Sequence, residues 1–570
     1  MTKYISLIIA VLFSYSLSGQ QILSQQSDDT VFDQYALHEF VITTTGSFSN
    51  PFDSREVMLD MILNSPSGKE FVLPCFFEKA NGKTNVWRAR LMLQEAGAYQ
   101  YRFRLTLKGK KGNVTKRFTL NSRPSGKDGI LHIGDYWTFR FDSGKPFRGI
   151  GENVGWEARS FENKKWTYDY LLPTLSANGA NFFRSWMCPW NLPVAWKKIS
   201  STNRYANSDS YFNESGIKRM DELVEMCDSL GLYFMVSIDA HGSLIPDGGW
   251  KGNSHNILNG GPAATPQEFF TNSESKAMYK NRLRYLIARW GYSPAIAAWE
   301  FFNEIDNAVF TPTPHDSVLI DHRIITQWHD EMSTYVKQND PYKHIVTTSI
   351  SHRDITGMND LVNIDLNQKH IYNKTHLIVP TIHDYIARYK KPYVIGEFGY
   401  DWNWDNVKHV YGTNFEFDYK RGLWYGLFSP TPILPMTWWW EFFDERKMTP
   451  YFRNVRTIND MMLQAGGGSF ENVDVESGAL ETLAVKCGAS YFVYALNPGN
   501  ARDAGSVKIK AGGSSSYQVK VYNPSEGIFS EQAPVKSTEG IIMVDAGVFN
   551  VHEDRIFIFT SDTSLSRKTE

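Results

Sequence analysis

Residues 298–306 read AWEFFNEID. Together with the preceding AIA (295–297), the run AIAAW has the continuous apolar character of a strand buried on both faces of a parallel sheet. It ends on Asn303-Glu304, with Glu300 and Asp306 close by. An ionised carboxylate in such a place is costly unless it is paired or its pKa is raised. These acids therefore either meet buried cations or have a chemical task.

Outward from this stretch, short apolar runs alternate with longer amphipathic ones. Strand candidates begin at FRGIG (147), NFFRSW (181), LYFMVSID (232), AIAAWEFF (295), HIVTTSI (344), NIDLNQKHIY (363), PYVIGE (392) and ILPMTWWW (433). GIKRMDELVEMCDSLG, stopped by Gly231, and SKAMYKNRLRYLIARWG, stopped by Gly291, read as helices between them. This grammar implies βα units and a parallel sheet, and eight such strands predict a (β/α)8 TIM barrel over 127–465. An open doubly wound sheet would carry a Gly-rich phosphate loop after its first strand, and none is present. The step from the fifth to the sixth strand is short, so any helix there is reduced.

Both flanks have a different pattern. Residues 28–124 and 466–565 hold short alternating runs such as LHEFVITTT, AYQYRFRLTL, YFVYALN and DRIFIFTS, broken by turn signals. Each predicts an antiparallel β-sandwich, so the expected architecture is α/β: a barrel flanked by N-terminal and C-terminal β-sandwich domains. Residues 1–20 combine Lys3, an apolar stretch and small residues, the pattern of a cleavable signal peptide. No Cys stands at the expected cut, so the chain is expected to be secreted or periplasmic without a lipid anchor, and without membrane insertion. The four scattered cysteines match neither a zinc site nor a disulfide scaffold, and buried free thiols are expected. A balance of 59 basic and 61 acidic residues offers no basic face for nucleic acid. Aromatics make up 14% of the chain, which fits bulky cores or stacking platforms for sugar rings. The oligomeric state is not legible.

In a TIM barrel, functional groups gather where strands run into the loops of the C-terminal face. Those positions hold Glu152, Asn153, Arg184, His241, Asn303, Glu304, His370, Tyr372, Glu397 and the run Trp438-Trp439-Trp440. Glu304 and Glu397 close the fourth and seventh strands, roughly three βα units of about 30 residues apart, and so face each other across the mouth. Two facing carboxylates are what glycoside hydrolysis requires, one as acid/base and one as nucleophile in a retaining enzyme.

An Asn-Glu closing strand four and a Glu closing strand seven resemble the clan A retaining glycoside hydrolases, whose largest member is glycoside hydrolase family five. The strand-two Arg184, the His370-x-Tyr372 pair after strand six and the Trp of TWWWEFF match the same pattern. The flanking modules also resemble the β-sandwiches that accompany cellulase-like barrels. The resemblance implies Glu304 as general acid/base, Glu397 as nucleophile and Asn303 as the ligand of the sugar 2-hydroxyl. It implies Arg184 and Tyr372 as partners of Glu397, His370 and His241 as orienting groups, and Trp440 as the platform beneath the sugar. Where the family often has Pro after Asn-Glu, this chain has Ile305-Asp306. No cofactor and no metal are expected; the substrate is expected to be a β-linked poly- or oligosaccharide. Alternatives are a transglycosylase with the same covalent intermediate and a non-catalytic carbohydrate-binding protein.

Other residues have plainer readings. Glu300 is expected as a structural acid paired inside the barrel, with Arg184 as one such partner. Asp239 and Asp306 are expected as loop or capping groups, and His255 and His352 are weaker site candidates than His241. Trp250, Trp402 and Trp404 suggest loop platforms or loop packing, and Lys251 and Arg446 could serve an anionic glycan.

Overall fold

The computed structural model describes residues 20–27, 29, 31–157, 164–200, 204–310, 320–400, 411–511 and 515–561. The expected signal segment, Gln20 apart, and Trp402 and Trp404 lie outside them. At the centre is a parallel sheet of seven strands in sequential order: β1 (Gly151–Asn153), β2 (Phe182–Trp186), β3 (Tyr233–Ala240), β4 (Ile296–Asn303), β5 (Ile345–Ile350), β6 (Leu366–Tyr372) and β7 (Tyr393–Gly399). β2, β4, β5 and β7 are buried along their whole length, which is why they do not alternate between apolar and polar residues.

The eighth segment closes the ring without forming a regular strand. Ile433 bridges Gly149 and Thr437 bridges Phe398, both in parallel. Leu434 N–H donates to the Gly149 carbonyl, and Phe398 N–H to that of Met436. Pro432 and Pro435 lack the N–H that a continuous ladder needs, so the closure consists of separate bonds on either side. Between β5 and β6, residues 351–365 form turns with no helix.

The intervening helices start and stop on local signals. In the helix Glu214–Leu230, Asn213 caps the N-terminus by accepting from Ser215 and Gly216 N–H, and Gly231 ends it at φ 64°. Ser273–Trp290 likewise begins on Asn272. Gly291 ends that helix in a right-handed conformation, φ −63°, so its value is space rather than handedness: a Cβ would stand 2.6 Å from the Ile287 carbonyl oxygen.

One end of the barrel is sealed. A three-stranded antiparallel sheet, Leu131–Ile133, Phe139–Phe141 and Pro146–Phe147, puts Leu131, Phe139, Phe141 and Phe147 against Phe182, Ile345, Leu366 and Val394. Those four lie at the starts of β2, β5, β6 and β7, so the plug sits at the N-terminal end of the strands. Before it, a four-stranded and a six-stranded sheet pack face to face over residues 22–123. After the barrel, a six-stranded and a three-stranded sheet enclose a second core that includes Val493, Ile509, Val519 and Phe557. Cys75, Cys188, Cys227 and Cys487 are buried free thiols.

The N-terminal sheets grip the helix Ser273–Trp290 through charge as well as apolar surface. Asp60, 3% exposed, accepts from Arg284 Nη2 at 2.5 Å and Arg104 Nη2 at 2.9 Å. Burial pushes its carboxyl up, but the two guanidinium groups outweigh it and hold the carboxyl below the usual range. Asp60→Ala leaves the Arg284 charge uncompensated, and breaking such a pair costs about 3–5 kcal/mol. The first thermal unfolding transition of this variant is expected to fall well below that of the parent, as read by calorimetry.

Candidate active site

Everything at the open end is organised around Arg184, which is fully buried on β2. Its Nε and Nη2 donate to Glu300 at 2.6 and 2.8 Å. Nη1 donates to Asn153 Oδ1 at 3.1 Å and Glu397 Oε1 at 2.7 Å, and Nη2 also to Asn303 Oδ1 at 2.7 Å. All five N–H donors of a guanidinium are thereby used. The two readings of Arg184, core partner of Glu300 and site residue, both hold at once: one edge is fixed by the structural acid while the others reach β1, β4 and β7.

Glu397 also accepts from the Tyr372 hydroxyl at 2.6 Å. Across the gap, Glu304 Oε1 lies 2.8 Å from His370 Nδ1, and Oε2 accepts from Asn307 Nδ2 at 2.9 Å. His370 Nδ1 is also 3.3 Å from Glu397 Oε2, so the ring stands between the two carboxylates. One oxygen of each acid and a His370 nitrogen all lie within 4.8 Å of one another. A metal ion could chelate to these three side chains by spacing alone, but a protonated His370 already supplies the positive charge there. Burial pulls the imidazole down, yet Glu397 and Glu304 raise it to about 9. Burial alone would lift the Glu397 carboxyl; the His370 charge, then Arg184 and Tyr372, bring it to about 2. One carboxylate is thus kept ionised beside a second that opens on solvent.

Glu304 follows β4 directly and adopts a left-handed backbone, φ 52°, uncommon for a residue with a side chain. Its N–H donates to Ser349 Oγ at 3.0 Å. Asp306, fully buried, accepts from the Ser351 N–H and hydroxyl at 2.6 and 2.7 Å and from the His352 and Arg353 N–H groups, both at 3.2 Å. This ladder ties the turn bearing Glu304 to the loop after β5. Asp306 is the loop-fixing acid expected of it.

A cavity of about 660 Å³ opens above the two acids, lined by Trp186, Glu304, Asn307, Ser351, His352, His370, Tyr372, Asn373, Lys374, Glu397, Trp438 and Trp439. Asn303 lies just beneath, and its Nδ2 is buried without a hydrogen-bond acceptor among the described residues. His241 is further out, its Nδ1 3.6 Å from Glu304 Oε2.

Several expectations need correcting. Trp440 does not floor the cavity: it begins the short helix Trp440–Glu445 and is buried against Trp156 and Trp438, leaving Trp438 and Trp439 on the lining. For Trp250, left open between platform and loop packing, the packing reading holds: it is 4% exposed and absent from the lining. Asp239 is neither loop nor cap, because it meets Arg282 at 2.9 Å within the barrel wall. Lys251 and Arg446 are paired with Asp247 and Glu416. Glu152 points away from the mouth, buried with Oε2 unpartnered, and burial pushes its carboxyl well up. Of the two weaker histidine candidates, His255 packs on Phe269 away from the cavity, whereas His352 lines it. Trp186, Asn307, Ser351, Asn373 and Lys374 were missed; Trp186 ends β2 and the others follow a strand end by a few residues, the one signal that could have found them.

Residues 142–411 match the family model for cellulase (glycosyl hydrolase family 5). This match takes in most of the barrel, and it makes that part of the chain similar to the clan A glycoside hydrolases, enzymes that cleave β-linked glycosides with retention. Residues 32–106 match a domain of unknown function, DUF5060. Mannan endo-1,4-beta-mannosidase A of Podospora anserina is 23% identical over 296 residues, covering 46% of this chain and 73% of that protein. The enzyme of the same name from Aspergillus aculeatus is 27% identical over 184 residues, 31% of this chain and 44% of its own length. A family 5 glycoside hydrolase from Bacteroides vulgatus shares the fold with a TM-score of 0.52 at 14% identity, over 76% of this chain and 93% of that one. Among the described residues no helix is long and apolar enough to cross a membrane.

The two shifted groups set a pH window. Glu397 titrates below its ordinary 4.5, so its contribution to stability is complete above that value and is lost as pH falls toward 2. His370 titrates above its ordinary 6.5, so its contribution is complete below that value and is lost as pH rises through about 9. Thermal stability from this pair should be greatest between pH 4.5 and 6.5. His370→Asn is expected to flatten the alkaline arm, measured by melting curves across pH.

Proposed function

We propose that Glu304 is the general acid/base and Glu397 the nucleophile of a retaining hydrolase acting on a β-linked polysaccharide backbone. The observation that carries this is the close approach of the two carboxyl groups, within 4.8 Å through their nearer oxygens, at the floor of an open cavity. A retaining pair stands about 5–5.5 Å apart, whereas an inverting pair needs about 6.5–9.5 Å to admit water. Glu397 held ionised by Arg184, Tyr372 and His370 is ready to attack the anomeric carbon. Glu304, free of any cationic arginine or lysine contact among the described residues, is placed to protonate the leaving oxygen and then to activate water. The unpartnered Asn303 Nδ2 suits the sugar 2-hydroxyl. Trp186, Trp438 and Trp439 offer flat faces for the ring. The names of the relatives favour a β-1,4-mannan-type backbone as the first substrate.

On the same reading the chain divides into an exported leader (1–20), an N-terminal sandwich (28–124), the catalytic barrel (127–465) and a C-terminal sandwich (466–565). The Asp60–Arg284 contact supports a bracing role for the first sandwich.

Glu397→Ala should abolish turnover of every substrate. Glu304→Gln should lower kcat/KM by about 10²–10⁴-fold on unactivated glycosides and far less on aryl glycosides with acidic leaving groups, which need no proton. Equal losses on both substrate types, or an inverted product anomer by NMR, would falsify the assignment. Asp306→Asn loosens the ladder that holds Glu304 and is expected to reproduce the same leaving-group dependence in weaker form, with KM little changed.

A further inference from the structure

We infer that the cavity includes a subsite for an anionic substituent, a carboxylate or a sulfate ester on the polysaccharide, recognised by Lys374. This rests on the two-carboxylate reading above and adds a substrate class to it.

The cavity has two chemically distinct walls. Strand order places the ends of β2 and of the eighth segment together, and they carry Trp186, Trp438 and Trp439. The ends of β5 and β6 lie across the mouth and carry Ser351, His352, Asn373 and Lys374. Apart from Glu304 and Glu397, no acidic residue lines the cavity among the described residues.

Lys374 is exposed, and among the described residues its ammonium has neither an ion pair nor a hydrogen bond. The other two cations that the sequence suggested for an anionic glycan, Lys251 and Arg446, are neutralised by Asp247 and Glu416. The base of Lys374 is nevertheless fixed. Asn373 takes a left-handed backbone, φ 60°, and its N–H donates to the Gly399 carbonyl at the end of β7, while the Lys374 carbonyl accepts from Leu377 N–H at 2.8 Å. The ammonium is thereby tethered two residues beyond Tyr372, which itself bonds Glu397. Both cavity carboxylates already have partners in His370, Asn307, Arg184 and Tyr372, so Lys374 is not needed to balance them. His352, its Nδ1 2.7 Å from Ser351 Oγ, adds a second group that can donate to an oxyanion. An unpaired ammonium carried on a fixed backbone, in a cavity that also has a tryptophan wall, fits a ring stacked on its apolar side and charged on the other.

The test uses the full chain and one backbone in three forms: β-mannan oligosaccharides that are neutral, C6-oxidised to the uronate, or sulfated. KM for one anionic form should lie about tenfold or more below that of the neutral form, the worth of one charge-assisted hydrogen bond. The preference should shrink as salt rises. Lys374→Ala should erase the preference and Lys374→Arg should retain it; whichever form shows it identifies the substituent as carboxylate or sulfate. Equal KM for all three forms, or a preference unchanged in Lys374→Ala, overturns the inference while leaving the hydrolase reading intact. Loss of all turnover counts against the hydrolase reading instead, and calorimetric binding of the same three oligosaccharides then decides the subsite.

Discussion

A single buried guanidinium determines how the site is built. Arg184 lies in the barrel interior with every donor engaged, and its five bonds reach β1, β4 and β7 from β2. An arginine without water is tolerated only when its charge and all its hydrogen-bonding capacity are met. Two acids do this together, Glu300 below and Glu397 above. Glu300 is itself held by Gln368 Nε2 at 3.0 Å, so the anchor extends to β6. A lysine could not replace this group, because a point charge cannot fix four side chains in one plane. The position of Glu397 is therefore a property of the barrel core, not of a loop.

Glu304 is held by different means. It sits one residue past its strand in a left-handed conformation that costs energy, and neighbouring polar groups offset that cost. Ser349 takes its N–H, and Asp306 gathers three consecutive backbone donors and a hydroxyl from the adjacent loop. Where related barrels often stiffen this turn with a proline, here a buried aspartate stitches it to the next strand. The two carboxylates thus differ in the way their chemistry needs: one is enclosed and held ionised, the other stands on a braced but solvent-facing turn.

Much of this was legible from spacing. Short, largely apolar runs between amphipathic stretches marked most of the strands, though β6 (LNQKHIY) is mostly polar, and acids at the ends of β4 and β7 marked the site, because a parallel barrel leaves only strand ends free for polar chemistry. The closing segment was harder, since Pro432 and Pro435 break the ladder without breaking the ring. Trp440 was misplaced because the resemblance puts a Trp at the end of strand eight without saying which of three, and the third already begins a helix. Arg184 looked like either a core or a site residue because periodicity cannot show that one side chain does both. Lys374 and His352 belong to no periodic pattern and stand out only by lying just past a strand end: exposed residues in turns are placed by the folded strands beneath them.

The architecture also explains why the chemistry has one entrance. Aromatic and aliphatic side chains of the three-stranded plug fill the N-terminal end of the barrel, packing on the first residues of four strands. The plug keeps that end of the barrel interior apolar, and the polar groups of the site lie away from it. They collect at the other, where Arg184 supplies the counter-charge and the loops after β5 and β6 supply donors. The N-terminal sheets fasten to the outer face of a barrel helix through Asp60 and Arg284, away from the cavity lining. Burial at the base and bracing at the side leave the mouth as the place where buried charge, strained backbone and open solvent meet, and those are the conditions under which two carboxylates of one type can be driven to opposite tasks.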